Sequence, residues 1–272
     1  MSDALTTVRR RGRPSSGGGG ETSGEVQSLD RAIALLEVLA AADGLGLSEL
    51  ARRAELPTST VHRLLATLDR RGFVSHDPAT GLWVVGLGLF RIGSAYLRIR
   101  KLPDVGHTLI RELSMSVDET VNISMVDGKE LVCVGQAEGH AAVRAFFRVG
   151  RRLPIHASGG GKAILAAMAP EARLRWLGNA PLERYTDHTH VDYAALEADI
   201  AAIEVRGFGI DDEEHTLGMR CVAAAILDEW GEPVGALSIS APTVRMEPAR
   251  IESLGAVARQ AARRLTMLYS GR

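Results

Sequence analysis

Residues 47–73 read LSELARRAELPTSTVHRLLATLDRRGF and predict two short helices joined by a turn of only four residues. The first helix is expected to begin at Ser48, a favourable N-cap residue, and to bury Leu50 and Ala51. The turn contains a proline, and the second helix is expected to begin around Thr58. Apolar residues of the second helix recur at helical spacing, at Val61, Leu64, Leu65 and Leu68. This arrangement is typical of a helix-turn-helix.

Polar residues that lie off this apolar stripe suit contact with DNA. Hydroxyl groups at the start of a helix can hydrogen-bond phosphates or base edges, and an arginine can do either. Pairs of short helices around a proline also occur in enzymes, so the pattern alone leaves both classes open. The residues expected to contact DNA are Ser48, Thr58, Ser59, Thr60, His62, Arg63 and Arg70.

The flanking segments complete a winged helix-turn-helix. Residues 77–81, DPATG, form a strong turn signal after the second helix, and the β run LWVV follows at residues 82–85. A hairpin is therefore expected there. Upstream, a further helix of the three-helix core is predicted by apolar residues at helical spacing, namely Leu29, Ile33, Leu36 and Ala40.

The first 24 residues are a low-complexity tail, which is expected not to fold alone. Its arginines, Arg9, Arg10, Arg11 and Arg13, suit an arm lying in a narrow minor groove. The alternative is a solvated tail that adds only nonspecific attraction to phosphates. The first 100 residues carry 13 arginines against 10 acidic residues, a weak basic bias in a chain of net charge −1.

The composition indicates a soluble protein of about two domains. The 272 residues are 46% hydrophobic and 24% charged. No apolar run reaches the ~20 residues of a membrane span, and no secretory segment follows Met1. Cys133 and Cys221 lie far apart, which argues against a disulfide framework and for a cytoplasmic location.

Residues 86–100 predict a helix that links the DNA-binding unit to the rest of the chain and that pairs with its twin in a dimer. Residues Leu102 and Pro103 are expected to break it. The expected organisation is a tail at 1–24, a winged helix-turn-helix at 25–85, a linker helix at 86–102 and an effector domain at 103–272.

The C-terminal part is predicted to be an α+β domain with a mainly antiparallel sheet, because its strands occur in hairpins with helices grouped between them. Strands are expected at residues 121–125, 131–134, 143–149, 221–227 and 234–240. Helices are expected at residues 105–115, 159–168, 171–177, 193–205 and 247–269.

Residues 156–163, HASGGGKA, form a glycine-rich start to one of these helices. A phosphate loop needs Gly at position 156 and Ser or Thr at position 163, so nucleotide hydrolysis is not expected. Backbone N–H groups and the positive end of the helix dipole would still bind a small carboxylate. Close packing of the glycines is the alternative interpretation.

Two further places could carry chemistry. Asp211, His215 and Cys221 have the residue types of a metal site or of a nucleophile with its base. A solvated acidic edge and a buried cysteine explain the same residues. Ser238 and Ser240 occupy alternate positions of one strand, so both hydroxyls are expected on one face of the sheet, where they suit a pocket floor.

Four stretches together resemble the IclR family of transcriptional regulators across residues 25–272. The resemblance implies a winged N-terminal domain, a GAF-like effector domain, and dimers or tetramers. The matching stretches are residues 26–32, VQSLDRA; residues 57–65; residues 151–159, RRLPIHASG; and residues 211–223.

Within that family the chain is similar to the glyoxylate-responsive repressors of the glyoxylate shunt and of allantoin use. The resemblance implies that Gly159 and Gly160 offer N–H groups to the ligand carboxylate. At Gly160 those relatives carry alanine, and the missing methyl leaves room for a slightly larger acid. The other implied pocket residues are Asp211, Cys221, Ser238 and Ser240 on the polar side, with Ala145 and Leu153 in the apolar wall.

The expected function is that of a homodimeric or homotetrameric repressor that binds a near-palindromic double-stranded operator and is released by a small carboxylate. No cofactor, metal site or catalytic site is expected. Two alternatives remain open: an activator or a sensor of an aromatic acid, and an enzyme fused to a DNA-binding head that uses Asp211, His215 and Cys221.

Overall fold

The computed structural model describes residues 26–99, 102–140, 148–178 and 180–270. The chain forms two compact units that divide between Gly93 and Ser94. This division falls inside the helix that the sequence predicts as a linker. None of the helices in the described part of the chain has the length and apolar character that crossing a bilayer requires.

The N-terminal unit is a three-helix core followed by a hairpin, as the sequence predicts. Its elements are α1 (Gln27–Ala40), α2 (Leu47–Arg53), α3 (Thr58–Arg70), β1 (Val74–Asp77) and β2 (Leu82–Val85). The strands pair antiparallel, and the turn between them is held by Asp77, whose carboxylate accepts hydrogen bonds from Ala79 and Thr80. The apolar core of this unit includes Leu35, Leu39, Leu50, Val61, Leu65 and Val74.

Two details of this unit differ from the sequence predictions. Helix α2 begins one residue before Ser48 with Gly46 as its N-cap, so the Ser48 side chain is not a cap. On α1, Leu29 and Ile33 are exposed, and the helix buries Leu35 and Leu39 instead. Because α1 is apolar on two sides, helical spacing alone selects the wrong one.

The segment between the hairpin and the large sheet contains two helices, α4 (Leu87–Ile99) and α5 (Leu102–Val117). The expected break at Leu102 and Pro103 is the start of α5. A proline in the first helical turn lacks an N–H group that would have no acceptor there anyway.

The C-terminal unit is built on a six-stranded antiparallel sheet, in the order β5-β4-β3-β8-β7-β6. Helices α5 and α9 pack on one face over a continuous apolar core. On the other face, α6, α7 and α8 contribute to a second apolar cluster. The strands are β3 (Thr120–Asp127), β4 (Glu130–Ala137), β5 (Arg152–Pro154), β6 (Gly209–Asp212), β7 (Met219–Leu227) and β8 (Pro233–Pro242); the remaining helices are α6 (Gly159–Ala167), α7 (Pro170–Leu177), α8 (Tyr193–Arg206) and α9 (Pro248–Ser270).

One predicted strand falls mostly outside the described residues, and one alternative interpretation of the sequence needs correction. Residues 143–147 of the strand expected at 143–149 lie outside the described residues, Arg148 is not in a strand, and Val149 belongs to a turn. The strand that pairs with β4 is β5, which begins at Arg152. The acidic run at 211–214 is not simply a solvated edge, because Asp211 belongs to β6 and is buried.

Candidate functional site

The exposed face of α3 carries a row of groups suited to DNA. Ser59, Arg63 and Arg70 are exposed and recur at spacings of four and seven residues, opposite the buried Val61 and Leu65. Among the described residues, neither Arg63 nor Arg70 forms an ion pair, so both guanidinium groups are available to an anion.

The remaining DNA-contact candidates surround this row. Thr58 and His62 are exposed on one flank of α3, Thr60 is half-buried, and Ser48 is exposed on α2. All seven predicted residues therefore belong to α2 or α3. The arginine-rich tail lies outside the described residues.

The C-terminal unit contains a small cavity of about 30 Å³ between the beginning of α6 and the face of the sheet that α6 covers. Six of the eight residues predicted for the effector pocket line it: Leu153, Gly160, Asp211, Cys221, Ser238 and Ser240. Gly159 packs beside the cavity and is not part of its wall. Ala145 lies outside the described residues.

Strand register explains why the polar residues converge. Cys221 on β7 lies opposite Asp211 on β6 and opposite Ser240 on β8. Side chains of residues directly opposite in an antiparallel sheet point to the same face. These three residues, which span 29 positions of the sequence from Asp211 to Ser240, thus form one row across the sheet, with Ser238 on the same face two residues away.

The N-terminus of α6 closes the cavity. Ser158 caps the helix, because its hydroxyl accepts a hydrogen bond from the N–H of Gly161. The N–H groups of Gly159 and Gly160 find no acceptor among the described residues, as is usual at a helix start. A Cβ at Gly161 would overlap the carbonyl of Ile155. The third glycine therefore permits close packing, while the first two leave backbone donors at the helix end.

Burial shifts the pKa values of Asp211, Cys221 and His215 towards their neutral forms. Burial, with the nearby Glu214 carboxylate, raises the pKa of Asp211 to about 7. Burial raises the pKa of the Cys221 thiol to about 12, and Asp211 adds to this shift. Burial lowers the pKa of His215 to about 4, with Arg151 and His156 contributing. A bound anion would therefore meet neutral donors and the positive end of a helix dipole.

A buried ion-pair cluster supports this wall from behind. Lys162 on α6 is fully buried and forms ion pairs with Glu214 and with Asp199 on α8, the latter at 2.5 Å. The backbone N–H of Glu214 donates to the Asp211 carboxylate at 2.8 Å. The cluster thus fixes α6, α8 and the turn after β6 relative to one another, and it orients Asp211.

Among the described residues, the only group with the spacing of a metal site is His190, Asp199 and Glu214, whose ligand atoms lie within 4.8 Å of one another. Lys162 pairs with both carboxylates and Arg206 pairs with Asp199, so the group is explained as an ion-pair network. Asp211, His215 and Cys221 do not form such a group. The metal-site interpretation of those three residues is not supported.

Several pocket residues were not predicted from the sequence. Asn122 and Ser124 alternate with core residues of β3, and that period-two pattern is the signal that could have identified them. Lys162 carries no such signal, because a lysine is rarely fully buried. The other unpredicted lining residues are Leu131, Cys133, Ser158, His215 and Ala236.

Comparisons with known proteins agree with this architecture. The family model described as "IclR helix-turn-helix domain" matches residues 28–78, and "Bacterial transcriptional regulator IclR C-terminal" matches residues 94–267. The chain is 43% identical to the HTH-type transcriptional regulator BhcR of Paracoccus denitrificans over 95% of this chain and 94% of that protein. It is 40% identical to the transcriptional repressor IclR of Escherichia coli over 96% and 97%, respectively.

A solved structure shows the same fold. The IclR homologue from Microbacterium hydrocarbonoxydans, crystallised in complex with 4-hydroxybenzoate, superposes with a TM-score of 0.73. That comparison covers 90% of this chain and 100% of the other, at 26% sequence identity.

Proposed function

Because the chain belongs to the IclR family of bacterial transcriptional regulators, we propose that it is a repressor released from its operator by a small carboxylate metabolite, a 2-oxo acid such as glyoxylate. The family and the relatives are regulators, so the chain is not an enzyme. The observation that carries the effector proposal is the small cavity of neutral donors at the start of α6.

The DNA-binding half of the proposal rests on α3. A helix with Ser59, Arg63 and Arg70 on one exposed face is suited to enter the major groove, where such side chains contact base edges and phosphates. Repression, rather than activation, is supported by the Escherichia coli relative, which is a transcriptional repressor. A cytoplasmic location follows from the proposed contact with operator DNA.

Cavity size favours a two- or three-carbon acid. One water molecule needs roughly 10–15 Å³ of such space, and this cavity offers about 30 Å³. An aromatic acid is the second candidate, because the Microbacterium relative was crystallised with 4-hydroxybenzoate. An aromatic ring would require the walls formed by Leu131, Leu153 and Ala236 to move apart.

The exposed apolar residues of the N-terminal unit support a dimer. Leu29 and Ile33 on α1 and Leu87 and Phe90 on α4 are exposed to between 49% and 71%. Within each helix these residues are three or four positions apart and therefore lie on one face, and exposed apolar faces mark contact surfaces. A dimer would also double the phosphate contacts of a single winged domain. A tetramer is compatible with the same surfaces.

Calorimetric titration of the full chain with glyoxylate, pyruvate, allantoin and protocatechuate tests the effector proposal. We expect saturable binding of a small 2-oxo acid that is lost in Asp211→Ala and retained in Asp212→Ala. Asp212 is the matched control, because its carboxylate is exposed and pairs with Arg220. Binding of protocatechuate alone would replace the small acid by an aromatic one; binding of none would refute the effector proposal.

A further inference from the structure

We propose that Cys221 captures the effector covalently and reversibly, its thiol adding to the carbonyl carbon of a 2-oxo acid of the aldehyde class to form a hemithioacetal. This inference rests on the proposed effector and deepens it, because it assigns a chemical basis for selecting a reactive carbonyl over a plain carboxylate. Three observations support it: the position of the sulfur, the groups around it and an unpartnered hydroxyl at the end of the same row.

The sulfur lies beside the expected carboxylate site. A Cβ built on Gly159 would be 3.4 Å from Cys221 Sγ, so the sulfur borders the first turn of α6. In a 2-oxo acid the carbonyl carbon is bonded directly to the carboxylate. The carboxylate is expected to accept hydrogen bonds from the N–H groups of Gly159 and Gly160. The geometry therefore places the electrophilic carbon next to the nucleophilic atom.

The neighbours of the sulfur can move the proton that the addition requires. Asp211 lies directly opposite Cys221 in the β6–β7 pair, and the hydroxyls of Ser238 and Ser240 face the sulfur. The S–C bond forms as the C=O π bond breaks, and that electron pair becomes a lone pair on oxygen. Asp211 binds the acid in its protonated form, gives its proton to this oxygen and takes up the thiol proton in return, so charge and oxidation state are unchanged.

An unsatisfied hydroxyl extends the same row. Thr120 on β3 lies opposite Ser240, and its Oγ1 is fully buried with no hydrogen-bond partner among the described residues. Buried polar groups without partners are rare and call for an explanation. The register places Thr120 on the cavity face next to Ser240, so its hydroxyl continues the polar row at the end away from Cys221, beyond the residues that line the cavity.

Position also distinguishes Cys221 from the second thiol of the cavity. Cys133 lines the same cavity, but its thiol is directed to the Gly135 carbonyl at 3.6 Å, and β3 and β8 separate its strand from β7. Asp211 therefore lies beside the thiol of Cys221 and not beside the thiol of Cys133.

Nuclear magnetic resonance of the full chain with glyoxylate labelled with ¹³C at the aldehyde carbon tests this assignment. We expect a bound resonance of a carbon bonded to sulfur and hydroxyl, distinct from that of the free hydrate. It should be absent in Cys221→Ala and Cys221→Ser and present in Cys133→Ala. A bound ligand that shows only hydrate or aldehyde carbon, or an adduct that survives in Cys221→Ala, would overturn the inference.

Affinity gives a second readout. Glycolate has the same heavy atoms as glyoxylate but lacks the carbonyl. Loss of one ordinary hydrogen bond weakens binding by about tenfold. We therefore expect Cys221→Ser to weaken the binding of glyoxylate by more than about tenfold and the binding of glycolate by much less. Equal weakening of both acids would reject capture while leaving the effector proposal intact, whereas a wild-type chain that binds neither acid would reject both.

Discussion

Arg63 lies at the centre of the exposed face of α3, four residues after Ser59 and seven before Arg70. If its guanidinium reads a base, Arg63→Ala should weaken binding to the specific operator by ~1–3 kcal/mol and leave nonspecific binding nearly unchanged. Fluorescence anisotropy with an operator selected from a random DNA pool, and with a scrambled duplex, measures both quantities.

Arg52 provides the matched control for this experiment. It carries the same guanidinium group, but Glu49 holds it in a bidentate ion pair on α2, and hydrogen bonds from Arg52 and Arg53 lower the pKa of Glu49 to about 2. Arg52→Ala should therefore change operator affinity less than Arg63→Ala. If Arg63→Ala loses the same affinity for the operator and for the scrambled duplex, Arg63 contacts phosphate. If it loses no affinity for either duplex, α3 does not face DNA.

The raised pKa of Asp211 predicts how effector binding depends on pH. Its raised pKa, about 7, means that the carboxyl group is protonated at lower pH, where it can donate a hydrogen bond to a bound carboxylate. Above that pH an ionised Asp211 would repel the ligand, so binding must take up a proton. We expect effector affinity to fall as the pH rises above 7, approaching tenfold per pH unit for one proton.

Calorimetry in two buffers of different ionisation enthalpy counts the protons taken up on binding. Asp211→Asn keeps a hydrogen-bond donor and cannot ionise, so its affinity should be nearly constant between pH 6 and about 8.5. The same steep pH dependence in Asp211→Asn would assign the titration to another group of the cavity.

Gly160 and Gly161, in the first turn of α6, have different structural roles. A Cβ at Gly160 would lie 3.2 Å from Ala236 Cβ and from Leu131 Cδ1, and the leucine methyl can give way. Ala also favours a helix by about 1 kcal/mol over Gly. We expect Gly160→Ala to fold with a midpoint of thermal unfolding within about 4 °C of the wild type, and to weaken pyruvate more than glyoxylate.

Gly161→Ala is the matched variant in the same turn. Its Cβ would overlap the backbone carbonyl of Ile155, which has no free space to move into. We expect a loss of about 1–3 kcal/mol, as for other overpacked sites, measured by denaturant unfolding followed by circular dichroism. A Gly161→Ala chain as stable as Gly160→Ala would contradict the described packing of α6.

Local pattern was enough to predict most elements of this fold. The alternation of Val121, Ile123 and Met125 with polar residues predicts β3. Ser238 and Ser240 occupy alternate positions of one strand, which predicts that they share a face of the sheet. The helix that begins at Gly159 and the final helix were also predicted within two residues at each end. These features depend only on period and capping, which neighbouring residues determine.

Features that depend on residues distant in sequence were not predicted. β6 has only four residues, and its acidic end suggests a solvent-exposed edge until α6 covers it. The burial of Lys162 depends on Asp199 and Glu214, which lie 37 and 52 residues away in the chain. Pairing across such separations is set by tertiary packing, which periodicity does not encode.

The whole chain joins a DNA-binding unit to a unit with a cavity, and regulation requires the two sites to be coupled. A ligand shifts operator binding only if it prefers one state of the protein over another. The cluster around Lys162 offers a local route, because it ties Asp211 at the cavity to α6 and α8. An effector that displaces Asp211 would thereby disturb three elements at once.

Reciprocity provides the test of this coupling. If the effector weakens operator binding through a coupling free energy of ~1–3 kcal/mol, affinity changes by 5- to 150-fold, and operator DNA must weaken effector binding by the same factor. Titration of glyoxylate into the free protein and into its operator complex measures one side, and anisotropy with and without glyoxylate measures the other. Equal factors on both sides would support repression relieved by the effector. Tighter effector binding to the operator complex would instead make the acid a corepressor, and a factor of one would separate the cavity from DNA binding.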